Sequence, residues 1–133
     1  MAYVFDSSSI YALVKLDKPE ALARNYTCNL ARYELGNILL TEMNLRKAIG
    51  EIEQRSLLSL IMRALNVMLI VNVKDDEQGV MDLATKYKLS FYDASYVHAA
   101  KKHAAVLVTQ DERLSKKIKN YISTISAEEL SLE

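Results

Sequence analysis

Four acidic residues, far apart in the chain, are the side chains best suited to chemistry. Asp6, Asp93 and Asp111 each follow a hydrophobic run, and Glu34 lies on a segment with the spacing of an amphipathic helix. Open α/β sheets bind ligands at the carboxyl ends of their strands. Carboxylates that converge there without basic partners repel one another, and a divalent cation removes that repulsion. The pattern therefore indicates a metal-dependent enzyme that uses Mg²⁺ or Mn²⁺, which prefer oxygen ligands.

Each acid, taken singly, also has an ordinary structural explanation. Asp93 and Asp111 are in positions that suit helix N-caps. Asp6 suits a turn after a strand, and Glu34 suits an exposed helix surface. The structural explanation is favoured for any one of them, whereas the joint pattern of all four favours a functional site.

Neighbouring polar residues extend this hypothesis. Thr109 is expected to orient a nearby carboxylate by a hydrogen bond, and Glu112, beside Asp111, is a candidate to assist the metal. Glu42 lies within an apolar helical stripe, which indicates either that the helix leaves the core there or that Glu42 pairs with Arg46.

Other common catalytic chemistries fit the sequence poorly. His98 and His103 are too far apart to share a helix face, and Cys28 has no partner cysteine, so a zinc site is not favoured. The serines at 7–9 lack a nucleophile-elbow motif and an evident histidine partner. Glycine-rich phosphate loops are also missing from the sequence.

Composition indicates an ordinary globular protein. The 133 residues suit a single domain spanning 1–133, and 17 basic residues balance 17 acidic ones. The chain opens on a strand-like run without the pattern of a secretory signal, so we expect a cytoplasmic protein with no membrane association. Nucleic-acid binding would need local basic patches. The candidates, interpreted first as solvated helix faces, are Arg113, Lys116, Lys117, Lys119, Lys101 and Lys102.

Strand-like and helix-like segments alternate along the chain, which predicts βαβ units and a parallel sheet. Strands are predicted at 2–6, 26–28, 68–73, 105–109 and 121–125. A first helix follows Ser7–Ser9, which offer N-caps, and its core face contains Ile10, Leu13 and Val14. Further helices are predicted at 19–25, 31–48, 51–66, from 75 onward, at 93–103 and at 112–119.

Within the 31–48 helix, Leu45 is predicted to belong to a buried stripe, and Gly50 suits the C-terminal cap. Together with the 51–66 helix it is expected to form a helical arm. The sheet would bring Asp6 and Asp111 to one edge. Asp93 would enter from a helix N-terminus, and Glu34 would point into the same cleft from the side.

Around these acids the chain resembles the PIN-domain family of nucleases, and especially its small stand-alone VapC-type toxins. The matching segments contain Val4-Phe-Asp6, Glu34-Leu-Gly-Asn37, Phe91-Tyr-Asp93-Ala-Ser and Val108-Thr-Gln-Asp111. The resemblance covers nearly the whole chain and implies a three-layer α/β/α sandwich with a central, mainly parallel sheet.

The resemblance also implies a function. It implies that Asp6, Glu34, Asp93 and Asp111 are the catalytic residues and hold Mg²⁺ or Mn²⁺. The expected activity is endonucleolytic hydrolysis of RNA, with the protein acting as the toxin of a toxin–antitoxin pair. A homodimer and a small antitoxin that covers the acidic cleft are the expected protein partners.

Two alternatives from other classes stay open. The chain could be a non-catalytic PIN-like module that binds a protein partner, although all four acids are present. A metal-dependent phosphoryl-transfer domain is less favoured, because a DxD phosphatase needs a second aspartate where this chain has Ser8.

Overall fold

The computed structural model describes residues 1–132. Its strands are β1 (Tyr3–Phe5), β2 (Tyr26–Cys28), β3 (Leu69–Val71), β4 (Val106–Val108) and β5 (Thr124–Ile125). Its α-helices are α1 (Ser7–Lys15), α2 (Ala31–Leu40), α3 (Glu51–Asn66), α4 (Glu77–Tyr87), α5 (Phe91–Lys102), α6 (Glu112–Ile118) and α7 (Ala127–Ser131). A short 3₁₀ helix spans Pro19–Leu22, and a π-helical turn spans Thr41–Leu45.

The strands form one five-stranded sheet in the order β3-β2-β1-β4-β5, with every neighbouring pair parallel. Helices α1, α2 and α3 pack against one another, whereas α4 packs on α5, which contacts β1, β2 and β4. This arrangement confirms the three-layer α/β/α fold that the sequence predicts.

The central strand β1 marks the point where the chain changes direction across the sheet. Two later strands lie on one side of it and two on the other. A crevice opens at such a switch point, outside the carboxyl ends of the strands. Val4 of β1 pairs with Leu107 of β4, and Phe5 pairs with Val108, so the residues after both strands emerge side by side.

Hydrophobic burial explains which strands are central. Val4, Phe5, Leu107 and Val108 are fully buried, as expected for a parallel sheet covered on both faces. Edge strand β3 differs, because Leu69 and the residue after it remain about half exposed.

On the first helix, Ile10, Leu13 and Val14 are buried, which confirms the core face predicted for it. Within residues 1–132, none of the helices combines the length and apolar character needed to cross a bilayer.

The prediction of one continuous helix at 31–48 was wrong. Helix α2 ends at Leu40, and in the π-helical turn Arg46 N donates to Thr41 O at 3.0 Å. A π turn inserts an extra residue and shifts the helical phase, so Leu45 is 79% exposed instead of buried. Helix α3 packs against α1 and α2, so the expected helical arm is part of the packed layer.

Several helix and strand boundaries also differ from prediction. Gly50 is the N-cap of α3, with φ −93° and ψ −179°, and does not cap the preceding segment. Instead, Lys47 adopts the left-handed conformation there, with φ 51°. The predicted strand at 121–125 is reduced to Thr124–Ile125, and helix α7 was not predicted. The predicted strands are longer than the observed ones, because apolar residues continue along the chain beyond the residues whose backbones pair in the sheet.

Substituting Gly36 with alanine should stabilise the protein. Gly36 lies inside α2, and an added Cβ would meet no atom within 4 Å. Alanine lowers the entropy of the unfolded chain, so we expect a gain of about 0.5–1 kcal/mol and a rise in Tm of about 2–5 °C. Calorimetry would measure both.

Gly50→Ala is the matched control, because Gly50 also has room for a Cβ. Since alanine is a poor N-cap, this variant should gain nothing or lose stability. A Gly36→Ala protein that melts below the wild type would contradict the described packing of α2.

Candidate active site

Asp6 immediately follows β1 and is the N-cap of α1. Its Oδ1 accepts hydrogen bonds from Ser9 N at 2.9 Å and from the Ser8 hydroxyl at 2.8 Å, and its Oδ2 accepts one from the Thr109 hydroxyl. The side chain is buried. Asp6 itself therefore caps the helix for which Ser7–Ser9 were the predicted caps, and two of those serines donate hydrogen bonds to it.

Thr109 connects Asp6 to Asp111. Its hydroxyl donates to the Asp6 carboxylate and accepts from Asp111 N at 3.1 Å. The β1–β4 register brings these residues together, since Asp6 N donates to Val108 O at 3.2 Å. The prediction that Thr109 orients a carboxylate is confirmed.

Asp111 is the N-cap of α6, as predicted, and its Oδ1 accepts a hydrogen bond from Leu114 N at 3.1 Å. The side chain is exposed at the mouth of the crevice. Its second carboxylate oxygen is not needed for capping, so a structural role and a ligand role are compatible in this residue.

Asp93 lies in the first turn of α5 but does not cap it. The cap is Ser90, whose hydroxyl accepts from Asp93 N at 3.0 Å. The structural explanation offered for Asp93 from sequence, that of an N-cap, was therefore wrong. Its half-buried carboxylate instead forms a hydrogen bond with the Ser90 side chain and is attracted by Lys117.

Glu34 occupies the first turn of α2 and is half-buried. Its Oε1 accepts a hydrogen bond from the Tyr96 hydroxyl at 2.7 Å, and the Ser7 hydroxyl bonds to the same carboxylate. Sequence reasoning missed Tyr96. The available signal was its position three residues after Asp93 on α5, which places both on one helix face.

Electrostatic repulsion connects the four acids in pairs. Burial raises the pKa of Asp6, against the hydrogen bonds from Thr109, Ser9 and Ser8. Burial also raises the pKa of Asp93, and repulsion from Asp111 and Asp6 raises it further.

The pKa of Glu34 is likewise raised by burial, against the hydrogen bonds from Tyr96 and Ser7, and repulsion from Asp6 and Asp93 adds to the rise. Repulsion thus connects Glu34 with Asp6 and Asp93, and Asp93 with Asp111, although Glu34 lines one cleft and Asp93 and Asp111 line another.

These carboxylates have no ion-pair partner of their own. The salt bridges described within residues 1–132 involve Glu42, Glu51 and Asp76, not the four acids. Glu42 pairs with Arg46 at 3.3 Å, which confirms one of the two explanations given for it.

A divalent cation fits this donor set. In residues 1–132 no three acidic, histidine or cysteine side chains form a ready-made metal cluster. Mg²⁺ commonly keeps several waters and takes only one or two carboxylates directly. Oxygen donors that form no salt bridge suit a hydrated hard cation, and Asp111 has a carboxylate oxygen that capping does not use.

Three basic residues flank the acids on one side. Lys88, Arg113 and Lys117 line a cleft of about 180 Å³ that also contains Asp93 and Asp111. Lys117 Nζ donates to the Lys88 carbonyl at 2.9 Å. Arg113 and Lys117 are exposed on α6, as expected for a solvated helix face, and they also line this cleft.

The other predicted basic residues do not reach the acids. Lys102 pairs with Asp76 at 2.7 Å, and Lys101 lies 4.8 Å from the centre of the Tyr121 ring. Glu112 and Lys116 line a separate cleft beside β5 and α7.

Both histidines are partly buried, and both have structural contacts. His98 Nε2 lies 3.2 Å from Asp76 Oδ2, and the His103 ring stacks on Tyr26 with 4.3 Å between ring centres.

Comparison with known proteins agrees with this geometry. The PIN domain model matches residues 3–120. Exonuclease VapC9 from Pyrobaculum aerophilum (strain ATCC 51768 / DSM 7523 / JCM 9630 / CIP 104966 / NBRC 100827 / IM2) is 33% identical over 125 residues, which cover 90% of this chain and 88% of the relative.

Two solved structures share the fold. The crystal structure of PAE2754 from Pyrobaculum aerophilum matches with a TM-score of 0.78 and 28% identity, covering 99% of this chain and 93% of that one. A toxin-antitoxin complex from Klebsiella pneumoniae matches with a TM-score of 0.59 and 20% identity, covering 95% and 98%. The family model and the VapC9 relative together show that the chain belongs to the PIN domain family.

Proposed function

We propose that this protein is a Mg²⁺- or Mn²⁺-dependent endoribonuclease and the toxin of a toxin–antitoxin pair, acting in the cytoplasm as a single nuclease domain. The observation that carries the proposal is that Asp6, Glu34, Asp93 and Asp111 lie near enough to repel one another in pairs and form no salt bridge within residues 1–132. Membership of the PIN domain family and similarity to a protein named as an exonuclease support nuclease chemistry.

In this proposal the four acids hold the cation directly or through water. When bound, the cation supplies Lewis-acid activation of water and offsets the charge that develops at the phosphate. Hydrogen bonds from Ser8, Ser9 and Thr109 hold the Asp6 carboxylate in one orientation, so its oxygens are pre-positioned for the cation. Tyr96 holds Glu34 in the same way from the opposite side.

Lys88, Arg113 and Lys117 would neutralise the RNA backbone beside the acids. The three residues line the same cleft as Asp93 and Asp111, and the Lys117 ammonium attracts the Asp93 carboxylate. Cations at this position offset the repulsion between the phosphates and the acidic site. They give a protein with no net charge a local surface for nucleic acid.

We propose internal cleavage because the acids line two open clefts and not one closed pocket. One cleft contains Asp93 and Asp111, and a second contains Glu34. A strand can therefore continue past the site in both directions. A circular RNA, which has no ends, tests this directly, because an exonuclease leaves it intact.

RNA hydrolysis should require both the cation and Asp93. Wild-type protein with Mg²⁺ should cut single-stranded and circular RNA, whereas EDTA should abolish cleavage and added Mn²⁺ restore it. Asp93→Asn should lower kcat by about 100-fold or more, since it removes a charge that positions the cation. Gel-resolved cleavage rates provide the measurement.

Glu112→Gln is the matched control, because Glu112 is an exposed acid that lines a different cleft. This variant should cut RNA at nearly the wild-type rate. A wild-type protein that binds RNA but never cuts it, with any divalent cation, would instead support the non-catalytic PIN-like module.

The acidic cluster should make the metal-free protein less stable as the pH rises. The pKa values of Asp6, Glu34 and Asp93 are raised by folding. Groups of this kind favour the folded state below their ordinary pKa, about 4, and lose that contribution as pH rises through the folded pKa. Asp93→Asn should therefore match the wild type near pH 4 and exceed it at pH 7 by up to about 1 kcal/mol.

Asp6→Ala is the contrasting variant in the same denaturation experiment. It removes the acceptor for Ser8, Ser9 and Thr109, so it should lose about 1–3 kcal/mol despite removing a charge. The account of mutual repulsion would be wrong if Asp93→Asn destabilised the metal-free protein at pH 7 as much as Asp6→Ala.

We also propose a small antitoxin and a second copy of the chain as protein partners. The structural match to a toxin-antitoxin complex supports this at the level of the fold. Exposed apolar side chains on the α2–α3 side of the molecule, including Leu45 and Ile52, provide surface for such contacts.

The antitoxin proposal predicts a neighbouring gene. A short upstream reading frame that encodes a DNA-binding protein should be present, and its product should co-purify with this chain and suppress RNA cleavage. Cleavage that persists at saturating amounts of that product would contradict the toxin assignment while leaving the nuclease assignment intact.

A further inference from the structure

Two exposed tyrosines share a cleft beside the acidic site. The chain has eight tyrosines and two phenylalanines. Among these aromatic residues only Tyr33, at 80% exposure, and Tyr92, at 63%, are exposed. Both line the same cleft of about 550 Å³, together with Glu34. The protein therefore presents its exposed aromatic surface at one place.

The rings of Tyr33 and Tyr92 have no partner in residues 1–132, whereas the other tyrosines do. Ring, cation or hydroxyl contacts within the protein involve Tyr3, Tyr11, Tyr26, Tyr87, Tyr96 and Tyr121. An exposed ring with unpaired faces contributes little to folding. These two tyrosines are instead available to stack on a flat ligand.

Their place in the sequence ties them to the acids. Tyr33 precedes Glu34 in the first turn of α2, and Tyr92 precedes Asp93 in the first turn of α5. The same two helix turns that aim the carboxylates into the crevice therefore carry the tyrosines to its rim. A molecule that occupies this cleft therefore meets both tyrosines and Glu34.

The cleft also offers polar groups for the edge of a ligand. Asn37 is exposed on its wall, and its side-chain amide makes no hydrogen bond within residues 1–132. Ser7 lies on the opposite element, and Leu30 and Ile38 complete an apolar surface. Aromatic faces, apolar walls and one free amide together suit a planar heterocycle with donors and acceptors on its edge.

We propose that this cleft binds an unstacked nucleobase of the substrate strand, held by the rings of Tyr33 and Tyr92. The inference rests on the proposed nuclease function and adds a subsite to it. A phosphate placed at the acids brings the base of an adjoining nucleotide within reach of the cleft. Base–aromatic stacking tolerates every base and is a common means of holding single strands. Duplex RNA, whose bases are already stacked and paired, would not fill the cleft.

The basic cleft on the other side of the acids complements this assignment. Lys88, Arg113 and Lys117 lie there, while the tyrosine cleft contains no basic residue. The backbone and the base of a bound strand would thus contact different sides of the site. A protein side chain or a second copy of this chain is less favoured as the occupant of the tyrosine cleft. Neither explains why the two unpaired rings belong to the residues that directly precede Glu34 and Asp93.

Binding can be measured without cleavage in an Asp93→Asn protein. The probe is a single-stranded RNA oligonucleotide with fluorescent 2-aminopurine at each position in turn, in Mg²⁺. We expect quenching at one position, and Kd should rise about 5- to 100-fold on adding Tyr33→Ala or Tyr92→Ala. Tyr33→Phe should stay within about 3-fold of the parent, because a phenyl ring still stacks.

Two controls isolate stacking from loss of exposed surface. An abasic nucleotide at the quenched position should bind equally to the parent and to both alanine variants. Met81→Ala removes a 51% exposed apolar side chain from α4, outside the cleft, and should not change Kd. In the wild-type background, the tyrosine substitutions should raise KM by a similar factor while kcat changes little.

The outcomes separate the two proposals. If RNA is bound and cut but the tyrosine variants change neither Kd nor KM, the base subsite is wrong and the nuclease assignment stands. If those variants instead weaken only self-association or antitoxin binding, the cleft is a protein interface and the subsite is again wrong. If neither the wild type cuts RNA nor the Asp93→Asn protein binds it, both proposals fail together.

Discussion

The parallel pairing of β1 with β4 is the constraint on which the candidate site depends. Its register places Asp6 beside Thr109, and the Thr109 hydroxyl then joins the Asp6 carboxylate to the backbone of Asp111. Two residues separated by most of the chain are thereby held at one switch point of the sheet. A shift of one residue in this pairing would turn the side chains of β4 to the opposite face and separate the acids.

Asp6 shows how the fold accommodates a buried carboxylate that lowers the stability of the folded state. Removing a carboxylate from water is unfavourable, and burial accordingly raises the pKa of Asp6. Hydrogen bonds from Ser8, Ser9 and Thr109 offset part of that penalty. The remaining repulsion from Glu34 and Asp93 is not offset by any salt bridge within residues 1–132. An excess of negative charge of this kind is expected where a cation is to be bound.

Much of this arrangement was predictable because it depends on periodic burial and on parallel-sheet geometry. Apolar runs before Asp6 and Asp111 indicated strands, and parallel strands must end at a common edge. Thr109 was predictable for the same reason, since it lies at the end of the same strand as Asp111. The convergence of Glu34 followed from its place at the margin of the buried stripe of α2.

Local features were harder to predict because several residues competed for one role. Asp6 and Ser7–Ser9 all suit the N-cap of α1, and only the backbone geometry selects Asp6. Ser90 caps α5 for a similar reason, and the Asp93 side chain bonds to Ser90 and does not cap the helix. The π-helical turn at Thr41–Leu45 depends on packing that periodicity does not contain.

Residues that join the site through tertiary contacts carried still weaker signals. Lys88 follows α4 and lines the same cleft as Asp93 and Asp111, because Lys117 of α6 donates to its carbonyl. In the sequence, Tyr33 and Tyr92 do not differ from ordinary helix residues. Only the folded structure shows that both are exposed and line one cleft. Sequence patterns thus anticipated the acidic residues better than the residues that would contact the rest of a substrate.

An anomalous diffraction map from crystals soaked in Mn²⁺ tests the central claim most directly. The account predicts a peak in the crevice between Asp6, Asp93, Asp111 and Glu34, with carboxylate oxygens or bridging waters around it. It also predicts that the peak is lost in Asp93→Asn crystals soaked in the same way. Carboxylates that point away from one another, with no peak in the crevice at saturating Mn²⁺, would contradict the account.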